Sequence, residues 1–188
     1  MEDLFNFRAL RIQQPGKMLA SRASYEIFNG QRQLVAVVTE TEGHAKRRVL
    51  TKAMPDTRVL AVTTAADEPV LTLIKLTSEW ITELRGPADE LIGRIRTGGT
   101  RRFYTLIDGE GRTVGEAVGD LGLKHFSVAT AESGEFARVR KTWAGLTKEV
   151  LTASDHYKVE FTAPVRPPAR TLTVMMPIVL DLTLYGPV

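Results

Sequence analysis

Short runs in which apolar and polar residues alternate recur through most of the chain, separated by turns rich in Gly, Asn, Asp or Ser. A period of two indicates a β-strand with one buried face, and a polar turn between two such runs predicts a hairpin. Five hairpins are predicted between Tyr25 and Lys141, with the sequences YEIFNGQRQLVAVVTE, VLAVTTAADEPVLTLIK, ITELRGPADELIGRIR, FYTLIDGEGRTVGEAV and FSVATAESGEFARVRK.

The second strands of these hairpins repeat with a regular period. When the second strands are aligned, one column contains Ala36, Leu71, Gly93, Gly115 and Ala137. From Leu71 onward, each member of this column follows the previous one by 22 residues. The residues two positions later form a second column, which is apolar in all five hairpins. In the last three hairpins the residue between the two columns is charged: Arg94, Glu116 and Arg138. One face therefore points inward, and its small residues allow another element to approach closely.

Two further runs, residues 7–13 and 156–162, bring the expected number of strands to about twelve. A sheet of that size tends to close, and the resulting lumen is too wide for side chains alone to fill. The apolar segment 172–185 follows Pro167 and Pro168, and it has the composition of a helix buried on every side. The sequence thus predicts that this helix fills the lumen.

The predicted fold is mainly β: one domain over residues 1–188, with a closed barrel of about twelve antiparallel strands (about 5–163) around a C-terminal helix (about 168–185). Two alternatives stay open. One is an open sheet with the helix across one face. The other is a membrane span, although segment 172–185 has only 14 residues and contains Pro177 and Asp181, whereas a span needs about 20 apolar residues.

Composition narrows the functional classes. The chain has 188 residues, of which 43% are hydrophobic and 25% are charged, as in a globular protein. Its net charge of +3 is too small to indicate binding to nucleic acid. It has no cysteine, so disulfides, thiolate chemistry and Cys-ligated zinc are excluded. Two acids follow Met1, where a signal peptide would be basic. We therefore expect a cytoplasmic protein.

The segment KTWAGLTKEVLTASDHYKVEF (residues 141–161), followed by LDLTLY (180–185), resembles the C-terminal part of the phospholipid scramblase and LURP-one-related proteins, of the tubby C-terminal-like group. The matching positions are Lys141, Trp143, Gly145, Glu149, Thr152, Asp155, Phe161 and Asp181. The resemblance implies a closed twelve-stranded barrel around a central helix. It also implies binding of lipids or phosphoinositides.

One part of the family pattern is missing. Scramblases have an acidic, EF-hand-like calcium-binding segment between the Trp-Gly turn and the final helix, whereas the matching run from Ala153 to Glu160 keeps only Asp155 among the expected ligand positions. Calcium needs six to eight oxygen ligands, which one carboxylate cannot supply. Calcium-triggered scrambling is therefore not expected.

Catalytic signatures are missing as well. His44, His125 and His156 are isolated, and the chain has no HExxH, G-x-S-x-G or phosphate-loop motif. The sequence predicts no catalytic residues, no metal site and no cofactor. An enzyme would require residues from separate hairpins to converge on one pocket.

Four residues near the C-terminus are predicted to be structural. Asp181 lies within an apolar helix, so its carboxylate needs a charged or hydrogen-bonding partner, or must take up a proton. We expect Lys141 or an Arg of a nearby strand to bind it and so to attach the helix to the barrel wall. Trp143 and Gly145 belong to a turn, where the tryptophan either packs into a corner or anchors at a membrane interface.

Basic residues supply the candidate binding site. They fall into three groups: Lys46, Arg47 and Arg48 (with Lys52); Arg94, Arg96, Arg101 and Arg102; and Arg138 and Arg140. Cations on an outer barrel face can bind anionic headgroups, each contributing about 1 kcal/mol at a charged membrane. We expect a non-enzymatic module that binds anionic phospholipid headgroups or phosphorylated small molecules, peripheral to a membrane. The alternative is a protein-interaction or structural module.

Overall fold

The structure is a computed structural model that describes residues 5–15, 23–42, 57–76, 80–132, 134–143 and 155–184. These residues form twelve strands and one helix. In chain order the elements are β1 (Ala9–Gln13), β2 (Ser24–Asn29), β3 (Leu34–Glu42), β4 (Thr57–Thr64), β5 (Pro69–Leu76), β6 (Ile81–Arg85), β7 (Leu91–Thr97), β8 (Phe103–Asp108), β9 (Thr113–Gly119), β10 (His125–Thr130), β11 (Gly134–Trp143), β12 (Asp155–Phe161) and α1 (Ala169–Leu184).

The strands form one closed antiparallel barrel in sequence order. Each strand pairs with the next along the chain, and β12 returns to β1, with Ala9 opposite Glu160 and Gln13 opposite His156. The predicted barrel is confirmed, and the open-sheet alternative is wrong.

The helix fills the barrel, as the apolar sequence of residues 172–185 predicted. Every residue from Ala169 to Thr183 is buried. The columns of small and apolar residues face inward, and a Cβ added at Gly93 would clash with the Ile107 carbonyl on β8 and lie 3.2 Å from Leu172 Cδ1 of the helix. The small residue therefore allows close contact between the wall and the helix. The described residues contain no helix with the length and hydropathy that crossing a membrane requires.

The two ends of the helix define two ends of the barrel. At the proximal end, where α1 begins, Arg170 donates from Nε to the Phe5 carbonyl (2.7 Å) and from Nη2 to the Phe7 carbonyl (2.6 Å). At the distal end, Lys75 Nζ donates to the Leu182 carbonyl (2.5 Å). The turns after β2, β4, β6, β8 and β10 lie at the proximal end, and those after β7 and β9 lie at the distal end.

One type of turn recurs at both ends. A side-chain oxygen before the turn accepts hydrogen bonds from backbone N–H groups within it, as Asp108 Oδ1 does from Glu110 (3.0 Å) and Arg112 (2.8 Å). The fourth residue of the turn is left-handed, with φ of 88° at Gly111 of the proximal end and 53° at Leu123 of the distal turn that begins at Asp120. Arg101, with φ of 56°, holds the same backbone position in a turn that begins at Gly98 and has no such side-chain oxygen. This turn chemistry explains why Asn, Asp and Gly separate the strand runs in the sequence.

Candidate functional site

Asp181 is buried in α1 near the distal end, and the wall supplies a hydroxyl group to it. Tyr25 on β2 donates its hydroxyl hydrogen to Asp181 Oδ2 at 2.6 Å. Burial and then the charge of Asp181 raise the pKa of Tyr25 well above its usual range. The sequence pointed to Lys141 or an arginine as the partner and missed this tyrosine, because a hydroxyl donor leaves no charge pattern in the sequence.

Other polar side chains surround this contact. Arg58 on β4 makes two bonds to the buried Glu40, from Nε to Oε1 (2.7 Å) and from Nη2 to Oε2 (2.9 Å). Burial lowers the pKa of Lys75 to about 8, and the charges of Arg58 and Arg101 act in the same direction. Lys141 is also buried, with Nζ 5.6 Å from the ring centre of Tyr157. The distal half of α1 is held by the bonds of Tyr25 to Asp181 and of Lys75 to the Leu182 carbonyl, and the other two contacts lie within the wall.

Several predicted residues lie outside what the structure describes. They are Lys46, Arg47, Arg48 and Gly145. Trp143 ends β11, where its backbone is paired with Asp155, but its side chain lies outside the described set. The roles predicted for these residues stay predictions.

Two of the predicted arginines are neutralised by neighbours. Arg94 on β7 forms an ion pair with Glu83 on β6, from Nε to Oε1 at 3.0 Å. Arg138 on β11 pairs with Glu135 on the same strand. Glu83 also pairs with Arg85, at 3.0 Å from Nη2 to Oε2. These half-buried and surface pairs reduce the charge that is available to a ligand. Arg96 is exposed beside Thr105 on β8.

Arg101 and Arg102 belong to a mixed basic and apolar surface at the distal end. The Arg101 guanidinium lies 5.4 Å from the ring centre of Trp80, and that of Arg102 lies 5.8 Å from the ring centre of Phe103. Phe103 is directly opposite Val118 on β9. We call this set the distal surface: Trp80 (43% exposed), Arg101, Arg102, Phe103 (49%), Val118 (44%) and Leu121 (87%).

The turn that carries Leu121 is firmly held. Asp120 Oδ1 accepts the N–H of Lys124 (2.8 Å), and its Oδ2 lies 2.9 Å from His125 Nδ1. The hydrogen bond with His125, followed by that from the Lys124 backbone, lowers the pKa of Asp120 to about 2. Leu123 in this turn has φ of 53°, which is uncommon for a bulky side chain. The turn therefore presents Leu121 to solvent on a defined backbone.

Arg140 lies on a different part of the wall. Its neighbour across the ladder is Lys158 on β12, and the neighbour of Lys158 on the other side is Arg11 on β1. We call these three residues the cationic row. Three strands separate β11 from β7, so the arginines at 94–102 and those at 138–140 face different directions.

The row was not identified from the sequence. Arg11 and Lys158 lie near opposite ends of the sequence, and only closure of the barrel makes β1 and β12 neighbours. A signal was nevertheless present, because closing the predicted strands in order would have placed these two residues on adjacent strands.

Metal binding has no support in the described part of the chain. His, Asp and Glu side chains there form no cluster of three or more that could hold a metal ion. Of the run 153–160, which corresponds to the calcium-binding segment of scramblases, residues 155–160 belong to β12, and Ala153 and Ser154 lie outside the described residues.

A family model named Scramblase matches residues 19–186. The chain belongs to the scramblase family. The resemblance seen in residues 141–161 and 180–185 is thereby confirmed. Among solved structures, this scramblase-family chain is similar to an X-ray structure of a protein from Arabidopsis thaliana, with 13% sequence identity and a TM-score of 0.52. That match covers 92% of this chain and 90% of the plant protein, and at this identity it supports the fold alone. No curated protein matches the chain.

Family and fold point to a lipid-related binding module. The scramblase family is not a family of catalytic enzymes.

Proposed function

We propose that the protein is a peripheral binding module for anionic phospholipid headgroups and that it docks on membranes through the distal surface. The observation that carries this proposal is the alternation of arginines with exposed aromatic and aliphatic side chains at one end of a scramblase-family barrel. Arg101 and Arg102 would contact phosphates, while Trp80, Phe103 and Leu121 would enter the headgroup region.

The physical chemistry of bilayers supports this arrangement. Basic side chains near an anionic leaflet contribute about 1 kcal/mol each. Tryptophan and other amphipathic aromatic rings favour the interface between headgroups and hydrocarbon. A surface with both properties suits a membrane better than it suits bulk water, in which Leu121 is 87% exposed.

The charge of the other end of the barrel supports the same orientation. Exposed carboxylates occupy the proximal turns, at positions that include Asp67, Glu68, Asp89, Glu90 and Glu110. The exposed Arg32 and Arg112 also lie in proximal turns, but the acids of these turns outnumber them, so an anionic bilayer would repel this end. Asp89 and Glu110 are paired with Arg85 and Arg112, as Asp120 of the distal turn is with His125, so Asp67, Glu68 and Glu90 carry this argument.

Other predicted cations can add to this contact. Arg96 is exposed and lies on β7, the strand that leads into the turn carrying Arg101. Lys46, Arg47 and Arg48 lie between β3 and β4 in the sequence and stay predicted contributors. Arg94, which was predicted with them, is the least suitable because of its ion pair with Glu83.

Co-sedimentation with vesicles tests the proposal. We expect binding to vesicles of phosphatidylcholine with phosphatidylserine, weak binding to phosphatidylcholine alone, and a decrease as salt is added. The double variant Arg101→Ser/Arg102→Ser should bind about thirtyfold more weakly, from two losses of about 1 kcal/mol. Arg94→Ser is the matched control and should stay within about twofold because its charge is already paired.

Two outcomes would overturn the proposal. One is equal recovery of the protein with neutral and anionic vesicles. The other is an equal loss of binding in Arg94→Ser and in the double variant. Either result would favour the protein-interaction alternative for the exposed apolar side chains.

A further inference from the structure

The cationic row places like charges directly opposite one another on neighbouring strands. Arg11 faces Lys158, Lys158 faces Arg140, and His125 on β10 is the next residue along the row. The side chains of Arg11, Lys158 and Arg140 are all exposed. Like charges directly opposite each other destabilise an antiparallel pair. The repulsion between these like charges lowers the stability of three paired strands, and an anionic ligand bound there would offset the repulsion.

A groove of about 540 Å³ lies over β1 beside this row. Three cations line it: Arg11 and Lys158 of the row, and Arg32 from the turn between β2 and β3. Phe28, opposite Arg11, contributes an apolar side. Neighbouring strands are about 4.8 Å apart, so the three groove cations, on β12, β1 and the turn after β2, extend over about 10 Å.

The backbone that carries Arg32 is held in place. Asn29 Oδ1 accepts the N–H groups of Gln31 (2.9 Å) and Gln33 (3.0 Å). Arg32 itself is left-handed, with φ of 64°. The side chain therefore starts from a fixed point at the edge of the groove.

Nearby acids only partly balance these cations. Lys158 Nζ lies 3.1 Å from Glu160 Oε2, and Glu26 accepts a bond from Gln13 Nε2 at 3.1 Å. Among the residues that the structure describes, no carboxylate pairs with Arg11, Arg32 or Arg140.

The carboxylate of Glu160 lies within the electric field of these cations. The hydrogen bond and charge of Lys158 lower the pKa of Glu160, and the charges of Arg140 and Arg8 act in the same direction. The carboxylate therefore lies in a region where positive charge predominates.

We propose that this groove binds a ligand with two neighbouring phosphate groups, held by Arg11, Arg32 and Lys158, with Arg140 strengthening the field. A guanidinium group binds two phosphate oxygens at once, and the long side chains of these three cations can converge from their separate strands on one diphosphate. The ligand is either a free phosphorylated small molecule or a phosphorylated lipid headgroup. The proposal is independent of docking through the distal surface, because the two surfaces use different strands.

Calorimetric titration with inorganic pyrophosphate at low salt tests the site. We expect saturable binding by the wild type and a loss of about tenfold or more in Arg11→Ser and Lys158→Ser, since hydrogen bonds to charged groups contribute about 1.5 to 3 kcal/mol. Arg138→Ser is the matched control, because this arginine is paired with Glu135 and lies outside the groove. It should change the affinity by less than about twofold.

A third variant separates loss of binding from loss of folding. Glycine adopts the left-handed conformation of Arg32 without strain, so Arg32→Gly should keep the melting temperature or raise it slightly. It should still weaken pyrophosphate binding severalfold. Two results would contradict the proposal. One is that the wild type shows no saturable binding of pyrophosphate, and the other is that Arg32→Gly and the wild type bind pyrophosphate with equal affinity.

Vesicles distinguish the two sources of the phosphates. If the ligand is a lipid headgroup, Arg32→Gly should lose co-sedimentation with vesicles that contain phosphatidic acid, and pyrophosphate should compete. If the ligand is free, Arg32→Gly should sediment like the wild type. The variant Arg101→Ser/Arg102→Ser should keep full affinity for pyrophosphate in both cases, so failure of vesicle docking would leave this site intact.

Discussion

The two ends of the barrel share a backbone design and differ in the side chains it carries. Turns at both ends have a left-handed fourth residue, which is Gly111 at the proximal end and Arg101 at the distal end. The proximal turns carry more exposed acids than cations, the latter being Arg32 and Arg112, whereas the distal turns carry Arg101, Arg102 and the exposed Leu121. A closed barrel leaves its turns free to vary, so one end can specialise while the strands maintain the fold.

The ends also hold the helix by different means. At the proximal end, Arg170 binds two backbone carbonyls and its guanidinium lies 3.9 Å from the ring centre of Phe161. At the distal end, Lys75 and Asp181 are ionisable groups buried among polar partners. We therefore expect the proximal attachment to be stronger and insensitive to pH, and the distal attachment to be weaker and dependent on pH.

The largest expected effect comes from breaking the proximal attachment. Arg170→Met leaves two backbone carbonyls without their donor, at a cost of about 3 kcal/mol in the free energy of unfolding. Denaturant unfolding at pH 7 measures this cost, and Lys75→Met should cost less than half as much. The exposed Arg166→Met is the control and should stay within about 0.5 kcal/mol. Equal costs for Arg170→Met and Lys75→Met would contradict the difference between the ends.

The pH dependence of stability isolates the distal end. Lys75 has a folded-state pKa of about 8, below its usual 10.5, so between these values the unfolded chain binds more protons than the folded one. Stability should therefore rise with pH in this window, by about 1 to 2 kcal/mol between pH 7 and 9.5. Above pH 10 the raised pKa of Tyr25 acts with the opposite sign, because the folded state then retains a proton that the unfolded state loses.

Denaturant unfolding across this range, with Lys75→Met as the comparison, measures the effect. The variant should lose the rise between pH 7 and 9.5 while keeping the decline above pH 10. A rise of the same size in the variant would mean that another group is responsible.

The barrel was predictable because its signals are local or periodic. Alternation identified the strands, the small column at Gly93 and Gly115 indicated a close inner partner, and an apolar segment after Pro168 indicated the helix. Contacts between distant parts of the chain were not predictable in this way. The bond between Tyr25 and Asp181 and the pairing of Arg11 with Lys158 arise only after closure brings these strands and the helix together.

The candidate site was predictable only in part for the same reason. Arg101 and Arg140 were identified as cations, but sequence spacing did not show that they face different directions. The neutralising partner Glu83 lies on the strand next to Arg94, and the apolar component of the distal surface comes from Trp80 and other residues at strand ends. Charge counting alone weights all these arginines equally, whereas their neighbours decide how much charge each one presents.

The smallest expected effect compares the same turn position at the two ends. Arg101 has φ of 56° and Gly111 has φ of 88°, and nothing lies within 4 Å of the Cβ that a side chain at 111 would add. Arg101→Gly should relieve backbone strain and raise the free energy of unfolding by up to about 1 kcal/mol, whereas Gly111→Arg should lower it by a similar amount. If the distal turn keeps its arginine for binding, Arg101→Gly should also weaken co-sedimentation with anionic vesicles about fivefold, the effect of about 1 kcal/mol at the membrane. If Arg101→Gly is more stable than the wild type and binds anionic vesicles equally well, Arg101 has no role in docking.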